Sequence, residues 1–434
     1  MASTIGTLAL LVVLLALLAS GLWIGFALGA VGLIGLLLLG GPTAGSLVAT
    51  SLWSSINSWP LTAMPLFLLM GEILFRTRLA DDMFRGLSPW VARLPGGLLH
   101  VNIIACGILA AIVGSSGVCA ATIGRMSLPE LKRQGYDESM TIGTLTGSGT
   151  LGILIPPSIM MIVYGIVGQV SIARLFIAGV GPGLLIIALF MGYVIVWSLL
   201  HPRPSMAINA RLPFLTKIKH SGRLIPAMLL IVVVIGSIYT GAATPTEAAV
   251  IGVVGSLVLA AATRTLNWTT LRESMIGGMR TSVLIMLILA GASVLSALMD
   301  YSGLPQYLAQ LVTEIQLSPA ALLFWLAILY LILGCFLDGV SMIVATATVV
   351  LPMVSAAGID LVWFGIYLIV LIEVAQITPP VGFNLYILQA LTGKDILAVT
   401  RASVPFFFLL LLALLILCIW PQTALYLPSQ VMAR

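Results

Sequence analysis

The chain has 434 residues, of which 60% are hydrophobic and 8% charged, and its mean hydropathy is +1.18. That composition leaves too little polar surface to cover a soluble globule, so the expectation is an all-α polytopic membrane protein. The net charge of +5 calls for no nucleic acid, because basic loops on the cytoplasmic face are how membrane proteins fix their orientation.

From the N-terminus, no charged residue occurs in positions 1 to 71. No basic segment precedes the apolar run at 1 to 20, so the first helix is expected to be retained rather than cleaved as a signal peptide. The loop 41–60 has no Lys or Arg, whereas 76–95 carries Arg76, Arg78, Arg85 and Arg93. Keeping the basic loops on one side requires 97–135 to enter and leave by the same membrane face, as a re-entrant hairpin. Its tip is expected at "GSSG" (114–117), where glycine permits a tight turn and hydroxyls serve polar backbone at membrane depth. The span 139–167 then carries Pro156 and Pro157 at its middle. Neither ring donates a backbone N–H, so the helix breaks there, and in hydrocarbon the freed carbonyls need other partners. The linker 201–223 has prolines and five basic residues and is expected in the cytoplasm.

Apolar runs resume at 224–262, 281–298, 320–337 and 402–419. A shift of 223 residues lays "SLPELKRQGYD" (127–137) on "VLPMVSAAGID" (350–360), and Pro156-Pro157 on Pro379-Pro380. It also pairs Pro182 with Pro405, Gly29 with Gly252 and Gly32 with Gly255. At one fixed offset roughly half a Pro–Pro coincidence is expected by chance, against the four observed, so the chain is read as two homologous halves, 1–200 and 224–434. In the second half the charge pattern reverses: 263–280 carries Arg264, Arg272 and Arg280, and 299–318 has no Lys or Arg. Equivalent loops then lie on opposite sides of the membrane, so the repeat is inverted, as in secondary transporters, with both termini on the outer side. The second hairpin is expected at 320–357, turning at "DGVS" (338–341), and the second broken helix at 362–390. The whole is about ten to twelve spans plus two re-entrant hairpins and two helices broken at Pro-Pro. Two tips and two breaks meeting at the midplane would form a site of free carbonyls, hydroxyls and half-helix ends, suited to ions.

The segments "MGEILF", "GSSGVCAATIG", "RQGYD", "GTLGILIPPSIMMIVYG", "LFIAGVGPG", "TPTEAA" and "ITPPVGFNLY" occur in this order along nearly the whole chain. In this it resembles the large membrane subunit, or M subunit, of the tripartite ATP-independent periplasmic (TRAP) transporters. The resemblance implies Na⁺-driven uptake of a small organic acid across a bacterial inner membrane by an elevator motion. It also implies two partners, a small four-helix membrane subunit (Q type) and a periplasmic substrate-binding protein (P type), with no cofactor beyond the coupling ion. Carried over residue by residue, a first sodium site falls on Ser115, Ser116, Gly152, Ile155 and Pro157, the last three mainly through carbonyls. A second falls on Asp338, Gly339, Ser341, Ala375, Thr378 and Val381; many relatives have glycine where this chain has Ala375.

Several of these residues also have plainer readings. Ser115 and Ser116 can cap the hairpin helix, and Thr378 can bond back to its own helix. Asp338 and Glu373 are carboxylates at membrane depth, where burial is costly, and serve as ligands, counter-ions or hydrogen-bond partners. Glu373, Asn384 and Arg125 are candidates for the substrate path, with Arg125 alternatively an interfacial anchor. In "TPTEAA", Thr246 reads as a helix cap with Glu247 in the first turn. Cys106, Cys119, Cys335 and Cys418 show no CxxC spacing and read as small core residues. His100, His201 and His220 form no ligand pair and read as headgroup contacts; with neither a nucleophile and base nor an HExxH motif, no enzyme is expected. A stand-alone dicarboxylate or anion:sodium symporter of similar architecture is the alternative, and a channel is a more distant one.

Overall fold

The computed structural model describes residues 10, 12–14, 16–18, 20–39, 41–77, 79–201, 217, 221–222, 224–380 and 382–431. The described secondary structure is helical throughout. The first half comprises α1 (Ile24–Leu39), α2 (Ala44–Ile56), α3 (Ala63–Phe75), α4 (Leu79–Val91), α5 (Leu99–Val113), α6 (Ser116–Arg133), α7 (Glu138–Thr150), α8 (Ile159–Val167) and α9 (Ile172–Leu200). The second comprises α10 (Ile225–Tyr239), α11 (Pro245–Ala262), α12 (Trp268–Ser302), α13 (Leu304–Glu314), α14 (Pro319–Leu333), α15 (Gly339–Ala356), α16 (Leu361–Gln376), α17 (Phe383–Thr392), α18 (Ile396–Ile419) and α19 (Gln422–Val431). Among the described residues five helices are individually long and apolar enough to cross a membrane, six if the α2/α3 pair, bent by 49°, is one span. Five shorter apolar helices accompany them. The chain is a multi-pass membrane protein.

The offset of 223 residues carries the bounds of α6 onto those of α15, and brings α4, α7, α8 and α9 close to α13, α16, α17 and α18. The matched residues have a local reason to recur. Gly135 and Gly358 end the hairpin helices with φ of 71° and 73°, a backbone region that side chains resist. Two residues on, Asp137 and Asp360 cap the next helices, accepting the N–H of Met140 and of Trp363 at 2.9 Å each. Each Gly-x-Asp thus stops one helix and starts another.

In the first hairpin α5 and α6 pack together about a turn at Gly114 and Ser115. The Leu98 N–H donates to the Tyr136 phenol at 3.1 Å, so the chain enters and leaves the hairpin at one end. In the second hairpin the connection spans residues 334–338, and α15 begins at Gly339. "DGVS" is therefore the cap and first turn of the returning helix rather than the turn itself. The Tyr330 and Thr346 hydroxyls bond across the pair.

The breaks fall at the prolines. α7 ends at Thr150, a short 3-10 turn covers Leu151–Ile153, and α8 restarts at Ile159; in the second half α16 ends at Gln376 and α17 begins at Phe383. The core lies on the first segments of these helices: 140–150 and 362–376 are buried without interruption. That explains why, Glu373 and Gln376 apart, they are mostly apolar or small all round rather than on one face. The second segments cross over, α8 packing on α15 and α17 on α6, so each half's hairpin meets the other half's broken helix.

Three smaller expectations change. His100 is buried, with Nε2 2.7 Å from the Pro95 carbonyl, and so braces the hairpin base instead of meeting headgroups. His201 stacks on Trp197, and His220 lies outside the described residues. The cap of α11 is Thr244, not Thr246: Pro245 takes the first helical position, and Thr244 and Glu247 form a reciprocal capping box. The four cysteines are unpaired; Cys106 and Cys119 are buried, whereas Cys335 is half-buried and Cys418 exposed.

Candidate functional site: two hairpin tips against two helix breaks

In the first half the tip touches the break. A Cβ on Gly152 would lie 2.6 Å from the Ser115 carbonyl oxygen, and one on Gly114 would lie 3.2 Å from that of Pro157. Only glycine lets these backbones approach so closely. Ser115 occupies the N-cap of α6, yet its side chain makes no capping bond, so the plainer reading of this hydroxyl does not hold. Ser158 hydrogen-bonds the Ile153 carbonyl, satisfying one orphan of the break. Among the described residues no donor reaches the carbonyls of Ile155 or Pro157. The Ile155 side chain lies against Gly107 and Gly183, anchoring the break between α5 and α9.

In the second half the residue equivalent to Gly152, Ala375, also packs against its hairpin, at Gly334. A Cβ on Gly334 would lie 2.4 Å from the Cβ of Ala375. Ala375 sits inside α16 without a left-handed backbone, so its methyl is accommodated by Gly334 across the contact. Asp338 caps α15, accepting the Val340 N–H at 3.2 Å and the Ser341 hydroxyl. Gly339 packs against Ile372 and Met160, the latter from the first half's α8. The Thr378 hydroxyl donates to the Val374 carbonyl at 2.7 Å, the back-bond to its own helix. Val381 lies outside the described residues.

The Ser116 hydroxyl reaches across to the other half, to Asn384 Oδ1 at 2.8 Å and to Gln376 Oε1. Gln376 was not singled out from sequence, although an amide ending the apolar run of α16 was the available signal. Glu373 is fully buried, with both carboxylate oxygens lacking a partner among the described residues. It does not line the cleft described next, and neither does Asn384.

That cleft, of about 440 Å³, is lined by Ser115, Thr122 and Arg125 of the first hairpin and by Phe75, Asp81 and Phe383. Its size suits a small ligand. Arg125 thus shares a cleft with the hairpin tip, and among the described residues no carboxylate forms an ion pair with it. Thr122 Oγ1, shielded from solvent, has no hydrogen-bond partner there. No group of three or more potential metal-ligating side chains occurs among the described residues.

Residues 11–423 match the family model described as "Tripartite ATP-independent periplasmic transporter, DctM component". The C4-dicarboxylate TRAP transporter large permease protein DctM of Pseudomonas aeruginosa is 33% identical over 394 residues, covering 91% of this chain and 92% of that one. The ectoine/5-hydroxyectoine TRAP transporter large permease protein UehC of Ruegeria pomeroyi is 30% identical over 398 residues, with 91% and 92% coverage. The crystal structure of the Alcanivorax borkumensis YdaH transporter superposes with a TM-score of 0.61 over 92% of this chain and 96% of that one, at 14% identity, a likeness of fold. The chain belongs to the DctM family, the large permease component of the TRAP transporters.

Proposed function

We propose that this chain carries a small organic acid into the cell across a bacterial inner membrane, driven by Na⁺. It works with a small four-helix membrane subunit and a periplasmic binding protein that delivers the substrate. The observation that carries this reading is that equivalent positions of the two broken helices pack against their hairpins, Gly152 on the Ser115 backbone and Ala375 on Gly334. At such contacts, carbonyls freed by the prolines and nearby hydroxyls can replace part of an ion's hydration shell. Ser115, Ser116 and the backbone of Gly152, Ile155 and Pro157 form the first sodium site. Asp338, Gly339, Ser341, Ala375, Thr378 and Val381 form the second.

The cleft beside the first tip is the substrate path, and Arg125 supplies the positive charge that a carboxylate requires. The two halves are inverted repeats with the 201–223 linker in the cytoplasm and both termini outside, giving about ten to twelve spans. An elevator motion moves the tips and breaks, with their ions and substrate, across the membrane.

Reconstitution separates this from transport by the chain alone. A thermal-shift screen of the partner binding protein against organic acids identifies the substrate. Proteoliposomes with all three components then accumulate it, while those holding only this chain accumulate little. Robust uptake by the isolated chain would contradict the tripartite reading.

A further inference from the structure

Three buried side-chain oxygens converge where the first hairpin tip meets the second broken helix. Ser116 Oγ lies 2.8 Å from Asn384 Oδ1 and within hydrogen-bond reach of Gln376 Oε1. The three residues are 3%, 0% and 9% exposed respectively for Ser116, Asn384 and Gln376. Asn384 Nδ2 donates to the Thr146 carbonyl at 3.4 Å, which turns the amide's oxygen toward Ser116. A serine hydroxyl carries one proton, so it satisfies one of these two carbonyls at a time. The other carbonyl then faces an oxygen lone pair in a site closed to water, an arrangement that costs free energy unless something positive sits between them. A small hard cation accepts electron density from all three oxygens at once.

The cluster has no counterpart in the other half. The positions 223 residues away from Ser116, Gln376 and Asn384 are Gly339, Ile153 and Met161, none of which brings a side-chain oxygen. Local packing around a break therefore does not demand these polar groups. Two of them come from the second half and one from the tip that the first half contributes.

We infer that Gln376 and Asn384 complete the first cation site from across the repeat boundary, so that one ion is held by Ser116 of the first half and two amide oxygens of the second. This rests on the sodium reading above and extends it: occupancy of the first site ties the halves together, and an empty site loosens that tie.

The test is thermal denaturation of the purified full-length chain titrated with NaCl, with choline chloride holding ionic strength constant. A ligand that binds only the folded state raises the midpoint by mass action. Gln376→Leu is expected to raise the Na⁺ concentration giving half of that stabilisation about tenfold or more. Gln376→Glu, which keeps oxygens at the position, is expected to preserve the response. A Gln376→Leu chain with the wild-type Na⁺ response would overturn the inference. So would a loss of stability equal with and without Na⁺, since the trio would then be a hydrogen-bonded clasp only. A wild-type chain whose stability ignores Na⁺ would instead overturn the sodium reading itself.

Discussion

Gly152 lies so close to Ser115 that a methyl group on it would meet the Ser115 carbonyl oxygen at 2.6 Å. Gly152→Ala must therefore push the hairpin tip off the break, because both partners are backbone and neither can rotate away. Overpacking of this kind costs about 1 to 3 kcal/mol. Uptake by the three-component system is expected to need about tenfold more Na⁺ for half-maximal rate. An unchanged sodium dependence would show that the tip and break do not share an ion.

Thr378 offers a test on the second site. Losing one oxygen ligand weakens cation binding by about 1 to 3 kcal/mol, so Thr378→Ala is expected to raise the half-maximal Na⁺ concentration about tenfold or more. Thr378→Ser keeps the hydroxyl and should behave as wild type. If both variants match wild type, the hydroxyl serves only its bond to the Val374 carbonyl.

For Arg125 the expected change is in the substrate. Arg125→Gln removes the charge facing the cleft and is expected to raise KM for the transported acid about tenfold, leaving the half-maximal Na⁺ concentration alone. A variant with unaltered KM would return Arg125 to the role of an interfacial anchor.

Much of this architecture is legible in sequence because its determinants are local. Each adjacent proline pair breaks a helix, a glycine with positive φ ends one, and Asp137 or Asp360 two residues after that glycine starts the next, so these parts of the repeat map directly onto helix ends. The second hairpin turns at 334–338, which the sequence does not announce, because Cys335, Phe336 and Leu337 continue an apolar run and nothing local distinguishes them from helix. The Thr244 cap, in contrast, is readable from Pro245 and Glu247, since proline favours the first helical position and glutamate the third. The contact of Ser116 with Gln376 and Asn384 joins residues 260 and 268 positions apart. It exists only once the two halves interdigitate, and no spacing along the chain announces it.

Topology can be read by labelling. Single cysteines introduced into 41–60 are expected to react with a membrane-impermeant reagent added from the periplasmic side, and those in 201–223 only from the cytoplasmic side. Reaction of both sets from one side would remove the inverted arrangement of the repeats.

The most direct measurement is accumulation of the identified acid by proteoliposomes carrying all three components, with the sodium gradient either imposed inward or abolished at equal total ionic strength. Concentrative uptake is expected only with the gradient, and Pro157→Ala, which restores a backbone donor at the break, is expected to lose it. Equal accumulation with and without a sodium gradient would contradict the account, and the broken helices would then be kinks without an ion to hold.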